Sequence, residues 1–128
     1  IIVAVLTRRL GAGLGNQDVI TNVVSGLRID EPAADLAVAT AITSSFRDQP
    51  VRADTVLIGE VGLSGELRMV GQMQTRLKEA AKLGFKRAVV PKRIRKSEPW
   101  PEGIEIIEAR SLREALKASL LEKEEPVS

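Results

Sequence analysis

The chain has 128 residues, which suits one compact domain, and 44% of them are apolar, enough for a hydrophobic core. It contains no cysteine and no histidine, which excludes thiol chemistry, zinc-finger sites and imidazole bases within these residues. Lysine and arginine number 19 against 17 acidic residues, and the aromatic side chains that stack on single-stranded nucleic acid are limited to two phenylalanines and one tryptophan.

The first 26 residues are predicted to form a helix, a turn and a strand. Residues 1–10 are predicted as an apolar helix whose carboxyl end carries Arg8 and Arg9, since cations are favourable there. The Gly-Ala-Gly-Leu-Gly at 11–15 superficially resembles a phosphate-binding loop, but no Lys-Ser or Lys-Thr follows it, so a flexible turn is favoured. The β-branched residues at 19–24 predict a strand.

The start of the chain also bears on its origin and compartment. The longest apolar run, residues 1–6, is too short to span a membrane and lacks the features of a signal peptide. Without cysteines there is no disulfide argument for secretion, so we expect a cytoplasmic protein with no membrane partner. Because the chain begins with isoleucine inside an apolar run, we expect it to be a fragment of a longer protein.

A helix is predicted from Asp30 to about Phe46, with Pro32 and acidic residues in its first turn. Its many alanines would let it pack closely against a sheet. Residues 55–61 are predicted as a strand, and Ser64-Gly65 as a hairpin turn leading into residues 66–70. Glu60 and Glu66 flank this turn, and solvated hairpin acids are favoured over a paired-carboxylate site.

The second half of the chain alternates helices and strands. Residues 72–83 predict an amphipathic helix with Met73, Leu77 and Ala81 on one face, and Gly84 as its carboxyl-terminal cap. A buried strand at 88–90 and a last strand at 104–107 enclose a loop at 92–103.

A capping box at residues 111–114 predicts a final helix through about residue 121, followed by a charged tail at 122–128. The order of elements predicts an α/β (α+β) fold in one domain over residues 1–121, with a mixed sheet and packed helices.

One segment concentrates positive charge. Between residues 86 and 96 there are six basic residues and no acid, so with a total of +2 the rest of the chain carries −4. These side chains are candidates for neutralising DNA phosphates, and a solvated loop is the alternative. The candidates are Lys86, Arg87, Lys92, Arg93, Arg95 and Lys96.

Four separated segments carry a resemblance to a known family: Asp-Glu-Pro-Ala-Ala-Asp at 30–35, Pro-Val-Arg-Ala-Asp at 50–54, Gly-Glu-Val-Gly-Leu-Ser-Gly-Glu at 59–66, and Glu-Ala-Ala-Lys-Leu-Gly-Phe at 79–85. They resemble the proteolytic domain of Lon proteases, and more closely the Lon-like carboxyl-terminal domain of the bacterial RadA (Sms) family of DNA repair proteins. The resemblance implies a Lon proteolytic-domain-like fold, also described as ribosomal protein S5 domain 2-like.

The resemblance also implies that the peptidase site is degenerate. Lon peptidases use a serine nucleophile and a lysine base; the serine position falls on Ala33 and the lysine position on Gln74. A methyl group cannot attack a carbonyl and a neutral amide cannot accept a proton at neutral pH. We therefore expect no catalytic residue and no enzyme activity in this chain, and a residual serine peptidase is disfavoured.

Two acids and several arginines near these positions receive structural interpretations. Glu31 and Asp35 are predicted to cap the helix or to pair with an arginine of a neighbouring subunit, in preference to binding a ligand. The scattered arginines are expected to be surface or interface residues, with Arg52 and Asp54 in a possible subunit contact. These arginines are Arg28, Arg47, Arg52, Arg68 and Arg76.

By resemblance, the parent protein acts in DNA repair and recombination on single-stranded or branched DNA. It is expected to form a homohexamer, to work with a recombinase of the RecA type, and to be a DNA-dependent ATPase. ATP, magnesium and zinc are expected to bind only in its missing amino-terminal regions, and no cofactor or metal is expected in this chain. The domain is expected to be a ring-forming scaffold that contacts DNA, and a purely structural oligomerisation domain is the alternative.

Overall fold

A computed structural model describes residues 31–94 and 99–122. The helix, turn and strand predicted between residues 1 and 24 lie outside the described residues, as do Arg28, Arg95, Lys96 and most of the predicted tail. Within the described ranges, no helix has both the length and the apolar character needed to cross a membrane.

The predicted α/β class is confirmed, with helices, parallel strand pairs and an antiparallel hairpin. A short 3-10 helix at Pro32–Ala34 leads directly into the first α-helix. The helices are α1 (Asp35–Arg47), α2 (Met73–Lys82) and α3 (Leu112–Ser119). The strands are β1 (Thr55–Leu57), β2 (Glu60–Val61), β3 (Leu67–Arg68), β4 (Arg87–Pro91) and β5 (Glu105–Ala109).

The main sheet is parallel, with the order β1-β4-β5. Its central strand β4 is the predicted buried strand, and Ala88, Val89 and Val90 are fully buried. A central parallel strand has both faces covered, which explains why these positions are all apolar. Ala88 pairs with Val56 on one side and with Ile106 on the other, so β4 holds the sheet together.

The strand predicted at residues 55–61 is divided into two, and this prediction was wrong in its continuity. The Ile58 N–H still bonds to the Val89 carbonyl at 3.1 Å, but the next residue leaves the sheet. The Gly59 N–H bonds to the Ala33 carbonyl at 3.1 Å, and the Gly59 carbonyl accepts from the Leu36 N–H at 3.0 Å. An added Cβ at Gly59 would lie 2.9 Å from Pro91 Cγ, so only glycine allows this approach.

The predicted hairpin is confirmed as the antiparallel pair β2–β3, with Val61 opposite Leu67. It is fastened to the start of α3, because the Leu67 N–H bonds to the Arg110 carbonyl at 3.0 Å and the Leu112 N–H bonds to the Gly65 carbonyl at 2.8 Å. The hairpin therefore connects the end of β1 to the end of β5.

The predicted helix boundaries are confirmed by their caps. Pro32 lies in the first helical turn, as expected. Gly84 has φ +96° just after α2, the left-handed conformation of a carboxyl-terminal cap. The Ser111 hydroxyl accepts from the Glu114 N–H at 3.2 Å, and the Glu114 carboxylate accepts from the Arg110 N–H at 2.7 Å. The capping box is thus present, except that the Glu114 carboxylate binds the backbone N–H of Arg110 and not that of the N-cap residue Ser111.

The core is built mainly from aliphatic residues, in keeping with the scarcity of aromatics. Leu36, Leu57 and Leu77 are fully buried between α1, α2 and the parallel sheet. Phe85 is the aromatic residue buried in this part of the chain, whereas Phe46 is 90% exposed.

Candidate functional site

The position that the resemblance assigns to the Lon nucleophile holds a buried methyl group. Ala33 lies in the 3-10 helix before α1, is 2% exposed, and belongs to the hydrophobic core. The backbone around it is bound to Gly59 from both sides of the turn. The turn that would present a serine therefore serves to pack α1 against the ends of β1 and β4.

The position that the resemblance assigns to the Lon base holds a neutral side chain, which has a partner in another segment. Gln74 is the second residue of α2, and its Nε2 donates to the carbonyl oxygen of Pro99 at 2.9 Å. This bond fastens the start of α2 to the segment that precedes β5. The amide thus makes a structural contact at the position where the Lon dyad requires a base.

An ion pair links the two segments that carry these positions. Glu31 Oε1 accepts from Arg76 Nη2, and the two side chains are only 21% and 12% exposed. Arg76 also donates from Nε to the Gly71 carbonyl at 3.0 Å. Glu31 is thus paired with an arginine of the same chain, while the predicted pairing with an arginine of a neighbouring subunit stays a prediction.

Asp35 likewise has a partner within the chain. Its Oδ2 accepts from the Val61 N–H at 3.1 Å, which joins the first residue of α1 to the end of β2. Glu31 is the N-cap residue of the 3-10 helix, and its side chain makes no capping bond. The N-cap residue of α1 is Ala34, whose methyl group cannot make one. The two acids therefore connect α1 to other elements instead of capping it.

The hairpin carboxylates share one arginine. Arg68 lies 3.5 Å from Glu60 and 3.0 Å from Glu66, so both acids form an ion pair with the same guanidinium. The pKa of Glu66 is lowered first by its own backbone N–H, against the opposing effect of desolvation, and then by the hydrogen bond from Arg68. This arrangement agrees with the preferred interpretation of structural hairpin acids.

Replacing Glu66 with glutamine is expected to remove a pH-dependent stabilisation. Because the folded-state pKa is lowered, ionised Glu66 stabilises the fold above its ordinary value of 4.5, and this contribution is lost as the pH falls through the lowered value. The unmodified chain should melt at a higher temperature than Glu66→Gln at neutral pH, and at the same temperature in strong acid. Circular dichroism melts across a pH series test this, and equal melting temperatures at neutral pH would contradict it.

The structure separates the contiguous basic stretch into two groups. Lys86 and Arg87 lie at the amino end of β4, whereas Lys92 and Arg93 follow its carboxyl end. Four steps of about 3.3 Å separate the first and last of the five residues of β4, so its ends lie roughly 13 Å apart. Side chains that are neighbours in sequence therefore project from opposite edges of the sheet.

At the amino edge, the arginine is bound within the chain. Arg87 Nη1 donates to the Ala53 carbonyl at 2.9 Å, and its Nε lies 4.0 Å from the Glu105 carboxylate. Lys86 is exposed beside it. Near this edge the Arg52 N–H bonds to the Ser119 carbonyl at 2.8 Å, while the predicted subunit contact of Arg52 and Asp54 stays a prediction.

At the carboxyl edge, Lys92 is exposed whereas Arg93 turns inward. Arg93 Nε donates to Glu108 Oε1 at 3.0 Å, and the Arg93 backbone N–H donates to the same oxygen at 3.2 Å. The guanidinium carbon lies 4.2 Å from the centroid of the Trp100 ring. We call Arg93, Glu108 and Trp100 the Arg93 clamp.

Sequence reasoning did not identify Glu108 or Trp100 as site residues. The sequence signal was weak: Glu108 follows two isoleucines of the last strand. The structure shows that its side chain is only 23% exposed, and a carboxylate buried to that degree requires a partner. The identity of that partner depends on the pairing of β4 with β5. In residues 31–94 and 99–122 there is no group of three or more histidine, cysteine or acidic residues placed to hold a metal ion.

Comparison with known proteins places the chain among relatives. Residues 2–94 match the family described as "Subunit ChlI of Mg-chelatase". The chain is 48% identical over 120 residues to the DNA repair protein RadA of Bacillus subtilis and 44% identical over 120 residues to that of Listeria monocytogenes, in each case over 94% of this chain and 26% of the relative. RadA of Synechocystis is 52% identical over 91 residues, covering 71% of this chain and 18% of the relative.

Proposed function

Because the chain belongs to the family described as subunit ChlI of Mg-chelatase and matches a region of RadA proteins, we propose that it is a non-catalytic module of a RadA-type DNA repair protein. The resemblance to the RadA family noted in the sequence is confirmed. The chain spans 26% of the length of those relatives. The role proposed for this chain is taken from its RadA relatives. It is not taken from the description of the family, which names a subunit of a different enzyme.

The absence of peptidase activity in this proposal rests on the two dyad positions. Ala33 offers only a buried methyl group, and Gln74 offers an amide bound to the Pro99 carbonyl. A nucleophile and a base within hydrogen-bond reach of each other are the minimum for covalent catalysis. The turn and helix of the peptidase site instead stabilise the fold through Gly59, Glu31 and Arg76.

The module contacts DNA at the carboxyl edge of the parallel sheet. The observation that carries this proposal is Lys92, which is exposed directly after β4 while the neighbouring arginine turns inward. The next cations in the sequence, Arg95 and Lys96, extend the positive charge along the same connection. Lysine and arginine neutralise phosphates without reading the base sequence, so binding is salt-dependent and weakly sequence-selective.

The remaining features of the proposal rest on the resemblance alone. The module acts as a ring-forming scaffold, with itself as the partner in a homohexamer, within a DNA-dependent ATPase that processes branched recombination intermediates together with a RecA-type recombinase. ATP, magnesium and zinc belong to other regions of such a parent protein. Within this chain we propose neither a cofactor nor a metal site.

Reversing the charges after β4 is expected to weaken DNA binding about tenfold or more and to reduce the slope of affinity against salt by about one for each lost phosphate contact. The test variant carries Lys92→Glu, Arg95→Glu and Lys96→Glu, and it leaves Arg93 in place. Binding of single-stranded and duplex oligonucleotides at several salt concentrations, followed by fluorescence anisotropy, measures both quantities.

The matched control makes the same change of total charge elsewhere. Lys78 and Lys82 are exposed on α2 and Lys86 is exposed at the amino edge, so their triple change to glutamate keeps the overall electrostatic effect and spares the carboxyl edge. If both triple variants weaken binding equally, the carboxyl edge is not the DNA site. If neither weakens binding, the carboxyl edge is likewise not the DNA site, whereas a failure of the unmodified chain to bind DNA favours the purely structural oligomerisation role.

A further inference from the structure

We propose that Arg93 is a positioning residue, which holds the backbone after β4 so that Lys92 meets a DNA phosphate, and that Arg93 itself does not contact the DNA. This inference rests on the proposed function, because it concerns how the carboxyl edge binds DNA. It assigns different roles to two adjacent basic residues that the sequence treats as equivalent.

Glu108 is the centre of the clamp. One carboxylate oxygen accepts hydrogen bonds from both the backbone N–H and the side-chain Nε of Arg93, at 3.2 Å and 3.0 Å. The side chains of Arg93 and Glu108 are only 18% and 23% exposed. A guanidinium that is mostly enclosed and bound to a carboxylate would have to lose both the ion pair and the ring contact before it reached a phosphate.

The ring of Trp100 covers the other side of the guanidinium. Trp100 packs against the hydrophobic core, and the Pro99 carbonyl before it accepts the hydrogen bond from Gln74. Arg93, which lies just after β4, thus contacts the segment at Pro99 and Trp100. That segment is bound to α2 through Gln74. Gln74, to which the resemblance assigns the position of the Lon lysine base, therefore helps to hold the carboxyl edge of the sheet in place.

The clamp determines which neighbours face the solvent. The Lys92 N–H bonds to the Ala109 carbonyl at 2.9 Å, which continues the ladder between β4 and β5 by one residue. Because side chains alternate in extended backbone, the inward turn of Arg93 directs Lys92 and Ile94 outward, and Ile94 is 97% exposed. A cation on a fixed backbone loses less conformational freedom on binding than one on a mobile loop.

The sign of one substitution separates the two roles of Arg93. Glu108→Gln removes a negative charge close to the DNA surface, so a simple electrostatic account predicts unchanged or tighter binding. If Glu108 positions Lys92 through Arg93, the same change weakens binding, by about three- to tenfold. Glu105→Gln is the matched control, since Glu105 lies on the same strand at the amino edge, and it should bind DNA as well as the unmodified chain or better.

Arg93→Lys supplies a second, charge-preserving test. Lysine keeps the positive charge but cannot reproduce the stacking and the fork of donors of arginine. The positioning role predicts weakened DNA binding and a red shift of the fluorescence of Trp100, which is the single tryptophan of the chain. Full affinity in Arg93→Lys would show that the guanidinium fork and its ring contact are not needed to place Lys92, and it would overturn the proposal.

The measurements use the 128-residue chain, mixed-sequence single-stranded and duplex oligonucleotides, and temperatures well below each variant's melting transition. If the unmodified chain binds neither probe, the proposed function and the positioning role both fail. If it binds, and Glu108→Gln binds as tightly as Glu105→Gln, only the positioning role fails. A lowered melting temperature with unchanged affinity would likewise make the clamp merely structural and overturn the proposal.

Discussion

A Leu36→Ala variant is expected to lose about 2–5 kcal/mol of folding free energy, a range typical of leucine-to-alanine changes in closed cores. Leu36 is fully buried in the first turn of α1, and its side chain lies near Gly59 at the end of β1. The surrounding backbone has little room to collapse, because the Leu36 N–H is itself bound to the Gly59 carbonyl at 3.0 Å. Chemical denaturation followed by circular dichroism measures the loss.

Ile42 provides the matched control for this prediction. It is an aliphatic residue of similar volume on the same helix, but it is 56% exposed. Ile42→Ala should change the free energy of unfolding by no more than about 0.5 kcal/mol. Similar losses in both variants would mean that Leu36 does not sit in a closed core and that the packing of α1 against the ends of β1 and β4 is incorrect.

The second large effect is expected at the ion pair near the degenerate dyad. Arg76→Met should destabilise the fold by about 2–3 kcal/mol, somewhat less than for a fully buried pair, because it leaves the carboxylate of Glu31 without its cation. Glu31 Oε2 already lacks a hydrogen-bond partner in the described part of the chain, so the loss of Arg76 leaves a largely enclosed acid poorly compensated. Urea denaturation at neutral pH measures the change.

Two further variants show whether the charge is the cause. Arg68→Met removes an arginine that is 57% exposed in the hairpin, and it should cost no more than about 1 kcal/mol despite the loss of two ion pairs. A double variant, Glu31→Leu with Arg76→Met, should recover part of the stability lost in Arg76→Met, because no unpaired charge remains. A double variant as unstable as the sum of its two single changes would contradict the explanation from an unpaired charge.

Local features of the fold were predictable from the sequence, because their causes lie within a few residues. Pro32 and the small residues after it mark the start of α1, since proline is favourable in a first helical turn. Gly84 marks the end of α2, because its positive φ has little steric cost without a Cβ. Ser111 and Glu114 satisfy backbone donors at the start of α3.

The degenerate peptidase site stays a prediction from the resemblance, and it rests on residue identity. Ala33 and Gln74 lack the chemical groups that the dyad requires, whatever their geometry. What those positions do in the fold was not visible. The bond from Gln74 to Pro99 joins residues far apart in the chain, and no local pattern indicates it.

Only the tertiary structure decided the pairing of distant groups. The strand predicted at 55–61 divides at Gly59 because that backbone bonds to the turn before α1 instead of continuing in the sheet. Glu31, just before the 3-10 helix, pairs with Arg76 of α2, a contact between residues separated by 45 positions. Such long-range contacts depend on the packing of whole elements, which composition and periodicity do not specify.

The basic stretch at residues 86–96 shows most clearly what the sequence determined and what the tertiary structure decided. Its composition alone indicated a concentration of positive charge, and it left open whether that charge binds phosphates or is simply solvated. The extended strand β4 separates Lys86 and Arg87 from Lys92. The parallel pairing of β4 with β5 brings Glu108 beside Arg93. The sequence by itself determined that Ala33 and Gln74 can serve as neither nucleophile nor base, and that the chain carries a cationic segment. The tertiary structure decided which of those cations are exposed, because burial and partners depend on neighbouring strands.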